Sequence, residues 1–192
     1  MKRLVFLCAL LPALSARAEP SEWRLDHAHS QVFFTVSHLG FTEMIGQFRK
    51  FDAKLLFDPT DWTRSSVEAT IDAASVDMNH EGLNEHLRNE DFFHVERFPT
   101  LSFRSTKVEN LGGDRLRLHG ELTLLGQTQP VSLDVRINKF GEHPMRKIPW
   151  VGFRAEGKIK RSDFGMKYAL GPVGDEIGII INLEAGGPQG GS

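Results

Sequence analysis

Residues 79–93, NHEGLNEHLRNEDFF, place two histidines, an arginine and four carboxylates within fifteen positions. Such a stretch is open to three readings: a metal site, an acid–base site, or the charged outer face of a structural lid. His86, Glu90 and His94 follow at intervals of four, and one continuous helix would bring all three to one face at a spacing suited to zinc. Phe92 and Phe93, followed by Val95, instead point to a chain leaving the helix, and His80 lies more than one turn from His86. The polar residues around Asn79 can cap a short helix, in which Leu83 and Leu87 fall one turn apart and face inward.

Other polar groups are thinly spread. His27 and His29 would share one side of an extended chain and could chelate from it, although ordinary hydrogen bonding is the plainer reading. His38 continues the apolar face of its strand and could meet the polar end of a ligand. Ser30 follows His29 without the glycine pattern of a nucleophile elbow. Neither Asp72 with Asp77 nor Glu90 with Asp91 has a spacing that implies paired acid and base roles, and glycine-rich phosphate cradles are missing. Chemistry alone ranks binding above catalysis. A metal-assisted lipid hydrolase or isomerase using His27, His29, His38 or His86 is the enzymatic alternative.

The elements that must hold these residues are strands. Period-two alternation places Val32, Phe34, Val36 and His38 on one face, and does the same for Val67, Ala69, Ile71 and Ala73. It recurs through Leu116–Leu124, Val131–Ile137, Val151–Ile159 and Ile177–Leu183. One apolar and one wet face, strand after strand, predicts an antiparallel sheet. Turns are expected at 111–114 and 125–128, with a longer loop over 140–149. In GQFRKFDAKLLFD the three-residue step from Phe48 to Phe51 breaks the alternation and predicts a bulge or sharp bend. Eight or nine such strands make a sandwich or a closed barrel, and closure removes exposed edges. Periodicity does not distinguish side chains that fill a barrel from side chains that line a lumen, so a purely structural barrel with a packed core stays open.

The chain begins with Lys2 and Arg3, an apolar run over 4–14 and Ala16-Arg17-Ala18, the pattern of a cleaved export signal over residues 1–18. Its only cysteine, Cys8, lies in that run. The apolar run falls short of the roughly 20 residues a membrane span needs. Cleavage leaves 20 Lys+Arg against 25 Asp+Glu, a net charge of −5, which offers no electrostatic footprint for nucleic acid. Residues 19–185 suit one domain, and the glycine-rich 186–192 read as a tail. Outside the leader, 13 phenylalanines against one tyrosine make the apolar faces bulky and poor in hydroxyls, suited to a ligand held by its hydrocarbon.

Taken in order, LDHAHSQVFFTVSHLGF, GQFRKFDAKLLFD, SVDMNHEGLNEHLRNEDFFHVERFPTLSFRST, GELTLLGQTQPVSL, VGFRAEGKIKRSDFGM and GDEIGIIINLEA resemble the YceI-like family of exported, lipocalin-like polyisoprenoid-binding proteins across nearly the whole chain. The resemblance implies an all-β fold, an extended eight-stranded antiparallel barrel closed in part by a short helix. It implies a periplasmic, non-enzymatic, stress-linked carrier whose apolar tunnel holds a quinone tail, a polyprenyl phosphate or a similar amphipathic lipid, with no cofactor and no metal. A transient contact with a quinone-dependent membrane protein and a homodimer are the partners it allows.

The family's histidine-serine start falls on His29-Ser30, and its helix motif on His86, Leu87, Arg88, Asp91 and Phe92. Where many members carry an arginine-aspartate pair, this chain has Leu83-Asn84. The expected ligand-contacting set is Phe34, Val36, His38, Val67, Ile71, Leu83, His86, Leu87, Phe92, Phe103, Phe153 and Ile179.

Overall fold

The computed structural model describes residues 19–188, so the expected leader and residues 189–192 of the expected tail lie outside it. Strands β1 (Ser21–Leu25) and β2 (Gln31–His38) are two halves of one bent stave, joined through a 3-10 turn at His27–His29. Both halves pair with β11 (Val173–Gly186). β3 (Thr42–Phe48) and β4 (Phe51–Phe57) form the second stave, bent at Arg49-Lys50 where the alternation breaks phase. β5 (Ser66–Asp72) and the two-residue β6 (Val76–Asp77) form the third, joined by a 3-10 turn at Ala73–Ser75.

The helix α1 (Glu81–Arg88) follows, and then four long staves: β7 (Thr100–Gly112), β8 (Arg115–Leu124), β9 (Gln127–Glu142) and β10 (Pro149–Lys160). With β11 they complete a closed, antiparallel eight-stave barrel. Every neighbour in sequence is a neighbour in space, as short turns require. The turns at 112–114 and 125–126 fall where glycine supplies a left-handed backbone, with Gly113 at φ 61° and Gly126 at φ 71°.

Alternation fixes which face is inside. In β2 it is Val32, Phe34 and Val36 that enter the interior, and in β11 it is Ile177, Ile179, Ile181 and Leu183. A slip of one residue would expose the whole set, so burial pins the register. Two differences from expectation stand out. The loop expected over 140–149 is shorter, because β9 runs on to Glu142 and β10 begins at Pro149. The domain runs past its expected end at 185: Gly186 pairs with Arg24 and Trp150, and the Gly187 N–H donates to the Pro149 carbonyl at 2.8 Å.

The segment between β6 and β7 closes one end. Of the polar residues around Asn79 it is His80 that caps α1, its Nδ1 accepting the Leu83 N–H at 3.3 Å. Asn84 is buried; its Oδ1 accepts the Met78 N–H at 2.7 Å and its amide donates to Asp77 at 3.1 Å. These bonds tie the helix to β6 through the second residue of the departing Leu83-Asn84 pair. After Arg88 the chain folds back, with the N–H groups of Phe93 and Val95 donating to the carbonyls of Leu87 and Arg88 at 2.9 and 3.0 Å. The helix therefore ends before Glu90.

Candidate binding lumen

The barrel is hollow. A cavity of about 220 Å³ runs between Phe34, Phe51, Ile71, Phe103, Ile159 and Ile179, side chains that are inside the barrel yet only partly buried. A second cavity of about 100 Å³ continues it and shares the walls Ala53, Val67, Leu118, Ala155 and Leu183. Together they reach the low end of the ~300–1,000 Å³ usual for small-molecule sites. Among the residues lining the larger cavity, Arg161 is the one polar side chain.

Two glycines set the positions of the wall's large rings. A Cβ at Gly46 would sit 2.3 Å from the Phe34 Cζ, and one at Gly120 would sit 2.3 Å from the Phe103 Cζ. Each glycine leaves the strand opposite room for a phenylalanine to lie against it. Phe34, Phe48 and Phe93 then follow one another, the first pair tilted at 5.6 Å and the second edge-on at 5.5 Å.

The two ends differ. At the end where β11 finishes, Trp23, Phe57, Val108, Leu116, Ile137, Val151 and Ala185 pack as a closed cluster, with Trp23 edge-on to Phe57 at 5.1 Å. At the other end, Leu87, Phe92 and Phe93 from the helical crossover reach the lumen beside Met166 and Val173. Arg161 organises that end. It is 2% exposed, and its Nε donates to the Gly174 carbonyl at 2.8 Å. Its Nη1 donates to Met166 and Tyr168 at 3.1 and 2.9 Å, and its Nη2 to Val173 at 3.0 Å. Burial pushes the guanidinium pKa down and nearby Asp175 pushes it back up; a guanidinium remains charged against such forces.

Of the expected contact set, Phe34, Val36, Val67, Ile71, Leu87, Phe92, Phe103 and Ile179 line the larger cavity, and Phe153 lines the smaller one. Three residues do not line either. His38 is exposed at the end of β2, two residues past Val36, because the strand outruns the lumen. Leu83 is 40% exposed, a turn outside Leu87. His86 is half-buried, its Nε2 3.2 Å from the Asp91 carboxylate and its ring edge-on to Phe92 and Tyr168. Arg161, Phe51, Phe93 and Ile181 line the larger cavity but are outside the expected set. All but Phe93 sit in strands or at a strand's end at inward-facing parity, and Phe93 sits in the crossover.

His27 and His29 lie in a 3-10 turn, not on a strand: His27 Nε2 is 3.5 Å from Asp52 and His29 Nδ1 is 3.1 Å from Asp26. Among the described residues Asp26, His29 and Glu184 are the one trio with ligand atoms mutually within 4.8 Å. Asp26 also accepts the Ala28 N–H and Glu184 accepts the Trp150 indole N–H, and the Arg146 guanidinium lies 3.7 Å from Asp26.

Known proteins share this architecture. BcnA of Burkholderia cenocepacia superposes with a TM-score of 0.75 at 28% identity, covering 84% of this chain and 99% of its own. A polyisoprenoid binding domain from Saccharophagus degradans superposes with a TM-score of 0.66 over 88% of this chain and all of its own; at 12% identity it shows the fold alone. Protein YceI of Escherichia coli O157:H7 is 37% identical over 185 residues, 94% of each chain. The model of the YceI-like domain matches residues 23–185, the span from the buried Trp23 to the buried Ala185, and by that match this chain belongs to the YceI-like family.

Proposed function

We propose that this protein binds isoprenoid or similar long-chain lipids non-catalytically and carries or sequesters them in the periplasm. The observation that carries the reading is the lining of the larger cavity, which is hydrocarbon apart from Arg161. Such a wall has no hydroxyl, thiol, imidazole or carboxylate with which to act on a bound substrate. It can hold a tail through dispersion and the release of water. Each CH₂ removed from water contributes about 0.8 kcal/mol, so ten buried carbons supply roughly 8 kcal/mol before ordering costs, an affinity near micromolar.

Two likenesses support the same ligand class: the fold shared with the S. degradans polyisoprenoid binding domain, and membership of the YceI-like family. Quinone tails and polyprenyl phosphates are the two forms of that class we favour. The basic, apolar, small-residue pattern of residues 1–18 supports export. Delivery to a quinone-dependent membrane protein, a stress-linked role and a homodimer belong to the same reading.

Native mass spectrometry of protein purified from its own host, followed by lipid extraction, tests it. A co-purifying isoprenoid is the expected result. An empty protein that also fails to take up added polyprenols or quinones would sink the reading, and a signal confined to the cytoplasmic fraction would remove the periplasmic part of it.

A further inference from the structure

Nine large apolar side chains are well exposed among the described residues, and six of them, Leu39, Phe41, Ile45, Leu83, Tyr168 and Leu170, belong to the end of the barrel at which β11 begins. Phe41, at 87% exposure, stands almost free of the protein. The geometry points to a membrane-docking rim: these residues enter the surface of an uncharged, zwitterionic bilayer and open the lumen directly onto it.

Several of these segments are tied to one another. The Leu39 N–H donates to the Pro172 carbonyl at 2.7 Å, Leu170 bridges to Val173, and Tyr168 lies edge-on to His86 and Phe92 at 5.4 and 5.5 Å. Each element steps from a lumen wall to an exposed apolar side chain within a few residues: Val36 to Leu39 and Phe41, Leu87 to Leu83, Met166 to Tyr168, and Val173 to Leu170. A cargo with a long apolar tail passes along such a path without crossing water.

Backbone geometry supplies a separate observation. Leu39 is held at φ 53° before Gly40, at a hairpin tip where asparagine, aspartate or glycine is the ordinary choice. A leucine there is strained and 53% exposed, so neither local conformation nor packing in the isolated protein accounts for it.

The occupant follows from charge and distance. On the segments that carry the rim, Glu43, Glu81, Glu85, Glu90 and Asp91 outnumber Arg88 and Lys167, a net negative charge that disfavours an anionic surface. The described chain ends at Pro188, at the opposite end of the barrel. Four residues reach at most about 14 Å, against roughly 45 Å along β11, so residues 189–192 do not cover the rim.

The proposal rests on the lumen being a lipid site. It is tested by flotation of the protein with phosphatidylcholine vesicles. The wild type should float equally well at about 0.1 and about 0.5 M salt, as apolar insertion requires. Phe41→Asp should partition at least tenfold more weakly, and Met145→Asp, at the far end, should match the wild type. Leu39→Asn relieves the left-handed strain, so it should melt no lower than the wild type and still float less.

Absence of wild-type flotation, flotation lost with salt, or equal flotation of Phe41→Asp overturns the docking surface. So does a concentration-dependent dimer that Phe41→Asp abolishes, which would make a second copy the occupant. Uptake of geranylgeraniol from ethanol by the same preparations keeps the two readings apart. Uptake without flotation overturns the docking alone, and failure of uptake overturns the lumen reading, while flotation weakened by Phe41→Asp supports docking in either case.

Discussion

The ring of Phe34 occupies the space that a side chain on its cross-strand partner Gly46 would need. The two residues face each other in the β2–β3 register, and a Cβ at 46 would lie 2.3 Å from the Phe34 Cζ and 2.4 Å from the Met78 Sδ. Both obstructing atoms are the far ends of flexible side chains, so the fold of Gly46→Ala survives at a cost of about 1–3 kcal/mol. The displaced ring moves into the lumen. A small fall in melting temperature together with clearly reduced polyprenol uptake is the expected outcome. Unchanged uptake would mean that the ring has another place to go.

Leu87→Asp should impair lipid retention more than His86→Ala does. Leu87 lines the lumen, and a carboxylate there has no partner, a loss of about 3 kcal/mol or more. His86 is half-buried, between the Asp91 carboxylate and the rings of Phe92 and Tyr168, and its loss costs about 1 kcal/mol. Thermal melts and uptake assays on both variants give the ranking, and the reverse order would return the polar reading of this segment.

How much of this was legible in the sequence depends on the period. Alternation in the strands, with the helical crossover's Leu87 and Phe92, puts eight of the twelve expected residues in the wall of the larger cavity and a ninth, Phe153, in that of the smaller. The phase break between Phe48 and Phe51 located a real bend. The same rule also reaches Arg161, which continues the inward parity of Val151, Phe153, Ala155 and Ile159, but a charged side chain ordinarily reads as solvent-facing. Only the carbonyls of the loop that follows it, at Met166, Tyr168, Val173 and Gly174, make its burial tolerable, and how that loop curls back is invisible to alternation. His38 failed in the opposite sense: its parity was right, but alternation carries no information about where a lumen ends. The helix cap falls on His80, one of the polar residues around Asn79, an imidazole taking the place of the usual short polar cap.

Stability should hold steady from pH 8 to about pH 5 and fall once the pH drops below about 4. The Thr60 hydroxyl, the Thr60 and Asp61 N–H groups and Arg64 hold the Asp58 carboxyl below the ordinary aspartate value of 3.8. The Asn79 N–H, the Asn84 amide and Arg49 do the same for Asp77, and the Ser162 N–H and hydroxyl do so for Asp175. A depressed native pKa means that the unfolded chain takes up protons first, so the contribution is present above the unfolded value and is lost as the pH falls through the native one. Urea midpoints measured across pH test this. Asp77→Asn should be weaker at pH 7 and show a shallower acid limb, and a decline that begins near pH 6 would contradict the assignment.

Arg161 joins the lumen wall to the loop that carries Tyr168 and Leu170, and replacing it should loosen that loop first. Four N–H groups in a planar fork reach four carbonyls, those of Gly174, Met166, Tyr168 and Val173. The ammonium of Arg161→Lys concentrates its three donors on one atom, so it leaves carbonyls unpaired and buries a more strongly hydrated charge. Arg161→Met removes the charge but leaves all four carbonyls without their donor. Both should cost about 3 kcal/mol or more, a fall in melting temperature of roughly 6–12 °C for a chain of this size. Hydrogen exchange separates this role from a general loss of stability. Protection should vanish over residues 165–174 under conditions in which β7, β8 and β9 keep theirs, whereas a uniform loss would mean that the guanidinium supports the whole barrel and not its rim.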